Sequence, residues 1–467
     1  MKNPTLFLLA SLVLLAGYPS VAQHRHGHGY HHYHLVSELK EDFRLMRSKL
    51  ESLHPGLYNY VEKDQLDHLL DSLYRGIENP MTGLQFQSYL SPLHSIIRDG
   101  HTRIVPGKKL RAHYDQHAPF FPFEVYWHKN KLYCIKNYSL ESEIPDGAEI
   151  IQINKRSSDR IMTSLMRRTA RDGSNFSYPR WQVSRQFAER YSYRFGHTPV
   201  FRMDVKMPDG KVKSFEIKAL PKKIIEENKR AKYGPEEPLG LSLVFSPDGK
   251  IATITIRSFQ NQLLRKKYKQ KFKPFIRQAF EEIKKRNIEN LVLDLRDNEG
   301  GEIENGKLLL SYLMDHPYRL IRKMEKVAPH PAPWKARLKS VSKTIEPLEE
   351  PGKSPYTGKL VVLINGGSFS CTAMVASCLD YYWRGSLVGQ ETGGNNRMFC
   401  GQTQQIKLRN TGLYLQVPTV QYYIIEEKEN LYHGVTPEHL VVPAPQSKAE
   451  GRDDAYELAL RLLELVF

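Results

Sequence analysis

Leu291-Val-Leu-Asp-Leu-Arg-Asp-Asn-Glu-Gly-Gly301 and Leu363-Ile-Asn-Gly-Gly-Ser-Phe-Ser-Cys-Thr-Ala373 share one plan. Each is a short apolar run, the pattern of a strand buried on both faces, that enters a glycine-rich turn directly. The second turn carries Ser368 and Ser370 and leads into a helical pattern. A helix N-terminus leaves backbone N–H groups without intrahelical partners. A serine set there has donors beside it that can hold an oxyanion. The arrangement points to a serine hydrolase.

The same alternation extends outward. Strand patterns at 250–256, 360–364, 386–388, 413–417 and 420–424 are interleaved with helical patterns at 268–286, 304–314 and 371–382, and 454–465 closes the chain as an amphipathic helix. This predicts an α/β core over 240–467, with a parallel or mixed sheet covered by helices. The proline- and lysine-rich stretch 328–356 reads as a surface insertion. Upstream, 118–220 changes character. Short strands at 121–126, 131–135, 148–154, 200–206 and 212–217, with a Pro-Asp-Gly turn at 208–210, predict a small β module with one or two helices, one of them at 159–168. The basic stretch 221–238 reads as a linker. Residues 36–115 form a helical region with helices at 41–53, 66–77 and 84–97, ending in the turn Arg98-Asp-Gly-His-Thr102 and a short strand, 103–105.

Lys2, the apolar run 6–15 and Ser20-Val-Ala22 give a secretory signal over 1–22, so the mature chain is expected to be exported to the periplasm, the cell surface or the medium. No later apolar run approaches spanning length, which excludes a transmembrane segment from the mature chain. Residues 23–35 are a low-complexity tract with His24, His26, His28, His31, His32 and His34. Imidazoles in that number suit zinc, copper or nickel, but a solvated tail is the preferred reading, since a flexible tract can bind metal adventitiously without using it, and no metal is assigned. The formal charge of +17 becomes 17 − 1 = +16 without Lys2. The basic residues are scattered and follow no nucleic-acid motif, so they read as solvated helix faces. Cys134, Cys371, Cys378 and Cys400 have neither the number of a disulfide scaffold nor the spacing of a metal site, and read as buried free thiols.

Six segments fall in an order that resembles the C-terminal-processing (tail-specific) protease family, in particular its tricorn-core-like branch. They are Asp99-Gly-His-Thr102, Gly147-Ala-Glu-Ile-Ile-Gln-Ile-Asn154, Asp294-Leu-Arg-Asp-Asn-Glu-Gly-Gly301, Asn365-Gly-Gly-Ser-Phe-Ser-Cys371, Val388-Gly-Gln-Glu-Thr-Gly-Gly394 and Gly434-Val-Thr-Pro-Glu438. The resemblance implies an α/β multidomain protein: an N-terminal helical region, a PDZ-like β module, and a crotonase- or ClpP-like α/β protease core. It departs at two places. Asn395 stands where members with a Ser–Lys dyad carry lysine, and Ser370-Cys-Thr-Ala373 replaces the usual Ser-x-Ser-Glu. The tricorn-like branch uses histidine, and His101 matches that position.

Ser370 is the expected nucleophile and His101 its base, since a serine hydroxyl needs a partner to take its proton and an imidazole can return it to the leaving amine. Ser368 is read as a turn residue. The oxyanion donors are expected to be the backbone N–H of Cys371 together with that of Gly300 or Gly301, where glycine allows close approach. The resemblance implies an acidic third member near Gly434. Glu426, Glu427 and Glu429 all lie there, and Glu429 is taken. Asn395 is a candidate for binding substrate in place of the lysine. A Ser–His mechanism needs no cofactor, and the partner implied is an extended or unfolded polypeptide. Two rival readings remain: an inactive relative that binds peptides, and a metal-binding or adhesive protein acting through the histidine tract. The sequence leaves oligomeric state open.

Overall fold

The computed structural model describes residues 32–235, 239–327, 341–425 and 433–464. Its centre is the sheet built by the two stretches read first. The strand Asn290–Asp294 pairs in parallel with Lys359–Ile364, Asp294 opposite Leu363. Ile251–Ile256 continues the parallel run on one side, Ser386–Gly389 and His439–Leu440 on the other, and Leu241–Phe245 adds an antiparallel edge. Side chains alternate between the sheet's faces. Leu291 and Leu293 therefore join one apolar cluster with the helices Phe272–Lys285, Ile303–Leu313 and Cys371–Tyr381, whereas Val292, Val361 and Leu363 join another with Asp454–Glu464. Ala455, Ala459 and Leu463 recur at four-residue spacing and put that last helix on the sheet. Residues 371–379 are buried all round the helix, which makes it a core helix and fixes its N-terminus.

Both glycine-rich turns consequently emerge at the same ends of neighbouring strands. They are stitched together: Leu295 N–H donates to Leu363 O (3.0 Å), Phe369 N–H to Asn298 O (3.0 Å), and Asp297 N–H to the side-chain oxygen of Asn365 (3.0 Å).

A second sheet explains how a residue near position 100 reaches this place. Arg103–Pro106 pairs antiparallel with the long strand Leu413–Ile424, Arg103 opposite Gln416. Leu408, Leu413, Leu415 and Val417 complete the apolar cluster of the N-terminal helices. That region is thus built on the C-terminal half of the chain. Its helices are Val36–Leu53, Lys63–Arg75, Gly83–Leu90, Leu93–Ile97 and, after the strand Arg103–Pro106, Lys108–His117. The run expected as one helix over 84–97 is two, with Pro92 standing at the N-cap of the second, because proline disrupts a helix interior.

The β module is an antiparallel sheet in the order Val212–Lys218, Val200–Lys206, Glu149–Ile153, Lys131–Asn137, Phe123–His128, consistent with the PDZ-like module expected there. It carries three helices, Ser158–Met166, Ser177–Arg185 and Phe187–Phe195, one more than the pattern allowed for. The basic stretch read as a linker is largely helix as well, Lys222–Tyr233. None of its residues is fully buried, so it lacks the apolar stripe that would have announced it. The stretch 328–356 contains the strand Val341–Ile345, paired with Ile321–Val327. The signal segment lies outside the described residues, as does the histidine tract up to residue 31. Among the described residues no helix is long and apolar enough to cross a membrane.

Candidate active site

Ser370 caps the core helix Cys371–Tyr381 with φ 57° and ψ −126°, a backbone conformation that costs a non-glycine residue about 1–3 kcal/mol. Serine is a favoured helix cap, yet this hydroxyl makes no capping bond. It faces His101 instead, with Oγ 3.1 Å from Nε2. The two side chains picked out by the sequence are therefore brought together from positions 269 residues apart. Ser368 is fully buried and serves the turn: Oγ donates to Leu295 O (2.9 Å) and accepts from Asn365 N–H (3.1 Å).

The imidazole of His101 is held between two phenyl rings, Phe369 at 4.7 Å and Phe399 at 5.5 Å between centroids, both near parallel. Burial lowers its pKa from 6.5 to about 4, against an opposing pull from Asp99 and with help from Arg103 and His54. At neutral pH it is an uncharged acceptor for the serine proton. Among the described residues its Nδ1 has no hydrogen-bond partner.

The backbone around His101 is fixed by carboxylates. Asp99 Oδ1 accepts the His101 N–H (3.0 Å) and the Thr102 hydroxyl (2.8 Å). Asp172, from the β module, accepts the Gly100 N–H (2.7 Å). The Arg103 guanidinium donates to Gly100 O (2.8 Å) and to the Tyr178 hydroxyl, which donates onward to Glu299 (2.7 Å) beside Gly300. Tyr178 also stacks on Phe369 at 4.2 Å.

His54, Asp99 and Cys400 bring three potential metal-ligand atoms within 4.8 Å of one another. The hydrogen bonding argues against a cation. Gly56 N–H donates to His54 Nδ1 (3.1 Å), so that nitrogen holds the lone pair and the ring proton sits on Nε2, facing Asp99 Oδ1 3.8 Å away. A metal on Nε2 would need that proton gone and Nδ1 protonated, the reverse of the arrangement present. The trio fits a support for Asp99.

The candidate oxyanion donors differ from one another. Gly300 N–H is already taken by Asn298 Oδ1 at 2.9 Å, which corrects its place among the donors: the side chain that shapes this turn has claimed it. Among the described residues no partner falls to the N–H of Gly301 or of Cys371. Gly300 contributes space instead, lying against Ser370. Asn395 also sits differently from the substrate-facing place expected for it. It is fully buried, and its Oδ1 accepts from the N–H of Arg397 (2.8 Å) and Met398 (3.3 Å), so it shapes its own turn. Glu426, Glu427 and Glu429 lie outside the described residues. Asp294 pairs with Arg296 (2.9 Å) and Arg257 (2.8 Å); burial pushes its carboxyl up, but the two guanidiniums outweigh it and hold the pKa at about 2.

Residues 250–441 match peptidase family S41. The chain carries a peptidase family S41 domain. The S41 match takes in both glycine-rich turns and Ser370. The fold agrees. Mature CPAF superposes with a TM-score of 0.65, covering 92% of this chain and 97% of that one at 17% identity. Its complex with lactacystin gives 0.64, with 92% and 98% covered at 16% identity. The photosystem II D1 C-terminal processing protease is also matched, at 15% identity over 90% of this chain and 99% of that one, with a TM-score of 0.44. No curated protein matches the sequence. Of the residues around the S41 centre, sequence reasoning missed Asp172, Tyr178 and Phe399. Asp99 stood inside a quoted segment without a role, and its position two residues before the histidine was the available signal.

Proposed function

We propose that this S41 protein is an exported endopeptidase that hydrolyses extended or unfolded polypeptides through a Ser370–His101 acyl-enzyme mechanism. The observation that carries the reading is the 3.1 Å approach of His101 Nε2 to Ser370 Oγ, with the serine on a strained turn at a helix N-terminus. His101 is neutral at working pH, so Nε2 can take the hydroxyl proton while Oγ attacks the scissile carbonyl. The oxyanion would sit between the N–H groups of Cys371 and Gly301. The imidazolium then returns its proton to the leaving amine, and water, deprotonated by the same Nε2, releases the acid. Asp99, next to the ring, favours the transient positive charge. An extended substrate suits an antiparallel module, whose edge strands can take up another strand. Export rests on the N-terminal segment of the sequence.

A second reading is an inactive relative that binds peptides. It is favoured by Asn395, which stands where a lysine base would and is buried in its turn. Labelling of the purified chain with a fluorophosphonate separates the two. The peptidase reading expects labelling that disappears in Ser370→Ala and His101→Ala. A folded wild type that is never labelled would sink it.

A further inference from the structure

The turn that carries His101 and the turn that backs Ser370 meet on one side chain that belongs to neither. Asp172 Oδ1 accepts the N–H of Gly100, the residue before His101, at 2.7 Å. Its Oδ2 accepts the N–H of Asn395 at 3.4 Å. Asn395 follows Gly394, whose backbone is so close to the nucleophile that a β-carbon there would lie 3.0 Å from Ser370 N. Asp172 is itself held: Gly173 N–H donates to Arg98 O (2.9 Å) and Asn175 N–H to Asp172 O (3.0 Å). It is buried, 2% exposed.

We propose that Asp172 is a positioning residue of the Ser370–His101 centre, a carboxylate strut from the β module that sets the distance between base and nucleophile. The proposal rests on the peptidase reading above. Two acceptor oxygens facing two N–H donors are what a carboxylate supplies, and its ionised form offers both at full strength. An amide has one acceptor and one donor end, so asparagine would turn an N–H against one of the two backbone donors. The strut is costly to keep charged. Burial, then the neighbouring Asp99, push its carboxyl up to about 7, with the two backbone donors and Arg103 pulling the other way. The titratable and charged groups facing it are Asp99, Arg103 and the Cys400 thiol. Cys400 is itself pushed well above its usual value by burial, so it stays neutral. A residue needed only to fill space would have no reason to carry that charge. Protonation removes the charge that strengthens both ties and makes one oxygen the poorer acceptor. Activity and folding stability should therefore respond in opposite directions as Asp172 is protonated.

The test uses the full chain and the rate of fluorophosphonate labelling at Ser370, with Tm, from pH 5 to 9. Asp172→Asn should label about 10²-fold more slowly at neutral pH, the size of effect expected when a reacting pair is misplaced by about 1 Å. Its Tm should stay within a few degrees of wild type, since removal of a buried charge offsets the backbone donor left without its acceptor. The wild-type rate should climb through about pH 7, and Asp172→Asn should lack that limb. Labelling of the variant at the wild-type rate, or a loss that only follows a fallen Tm, would overturn the proposal. So would retention of the limb in the variant. If Asp172→Asn does not fold, the wild-type profile decides, and a flat rate between pH 5 and 9 overturns it. No labelling of wild type at any pH would mark failure of the peptidase reading itself, and the strut falls with it.

Discussion

Gly300 and Ser370 are separated by less than a methyl group. A β-carbon on Gly300 would lie 2.8 Å from Ser370 Cβ, 2.8 Å from Phe369 O and 3.0 Å from the N–H nitrogen of Cys371. Gly300 also holds φ +95°, a conformation L-residues rarely adopt. Two glycine-rich turns from adjacent strands have closed on each other, and the absent side chain gives the nucleophile its room.

Gly300→Ala should therefore be damaged twice. The backbone strain is about 1–3 kcal/mol, and the contact forces Ser370 off its position. Gly249 separates the two effects: it has φ +73° and nothing within 4 Å of its would-be β-carbon. Gly249→Ala should lose a few degrees of Tm and keep its labelling rate. Gly300→Ala should lose Tm and drop in labelling rate by about 10²-fold or more. Equal labelling by the two variants would show that the contact with Ser370 does not matter.

Removal of either member of the reacting pair has a larger expected effect. Ser370→Ala and His101→Ala should each lower peptide turnover by about 10³- to 10⁶-fold, because the two act as a unit. For the same reason the double variant should be little worse than either single one. Additive losses, measured as kcat/KM on an unstructured polypeptide, would contradict a shared proton transfer.

The rings around His101 make a separate prediction. Its pKa is low chiefly because burial between Phe369 and Phe399 strips water from the imidazole. Phe399→Ala admits water to one face and should raise the pKa from about 4 towards 6.5. The acid limb of kcat/KM that lies below the rise through pH 7 assigned to Asp172 should move to higher pH by the same amount. An unmoved limb would assign the depression to charge, from Arg103 and His54, in place of desolvation.

The parts legible in the sequence were those encoded locally. Apolar runs on two-face-buried strands, the glycine turns after them, and Ser370 at a helix start all follow from short-range patterns, and the S41 match lies over them. His101 was found through a resemblance of segments, because the strand pairing that carries it to Ser370, Arg103–Pro106 on Leu413–Ile424, spans some three hundred residues and leaves no local trace. Asp172 lay in a loop without periodicity. A carboxylate that accepts backbone N–H groups from two distant turns looks, in sequence, like any solvated aspartate. The helix Lys222–Tyr233 was missed for a related reason: it buries no residue fully, so it shows no stripe. Asn395 was misplaced by analogy, since the position of a lysine in relatives said nothing about the turn its own side chain would make.

Acid should destabilise the fold, and the cause can be isolated at a residue outside the reacting pair. Burial lowers the pKa of His54, His94 and His101, the latter two to about 4. Between the unfolded value near 6.5 and the folded value, the unfolded chain binds protons that the folded chain refuses, so stability is lost as pH falls through that window. Asp172 works the other way: its folded pKa is raised to about 7, so the folded chain takes up that proton first and gains stability on acidification. Three histidines oppose one carboxyl, and the net slope should follow the histidines. His94 is the clean probe. It is 5% exposed, its Nδ1–H donates to Arg168 O (2.9 Å) and its Nε2 accepts from Ile104 N–H (3.0 Å). Its share of the acid loss is on the order of 3 kcal/mol by about pH 4. Glutamine offers one donor and one acceptor of similar reach and does not titrate. His94→Gln should therefore be somewhat less stable than wild type at pH 7.5, yet lose less stability on going to pH 4.5, as read by urea unfolding at both pH values. Parallel losses in the two proteins would mean that His94 is protonated as readily folded as unfolded, and that the acid sensitivity arises elsewhere.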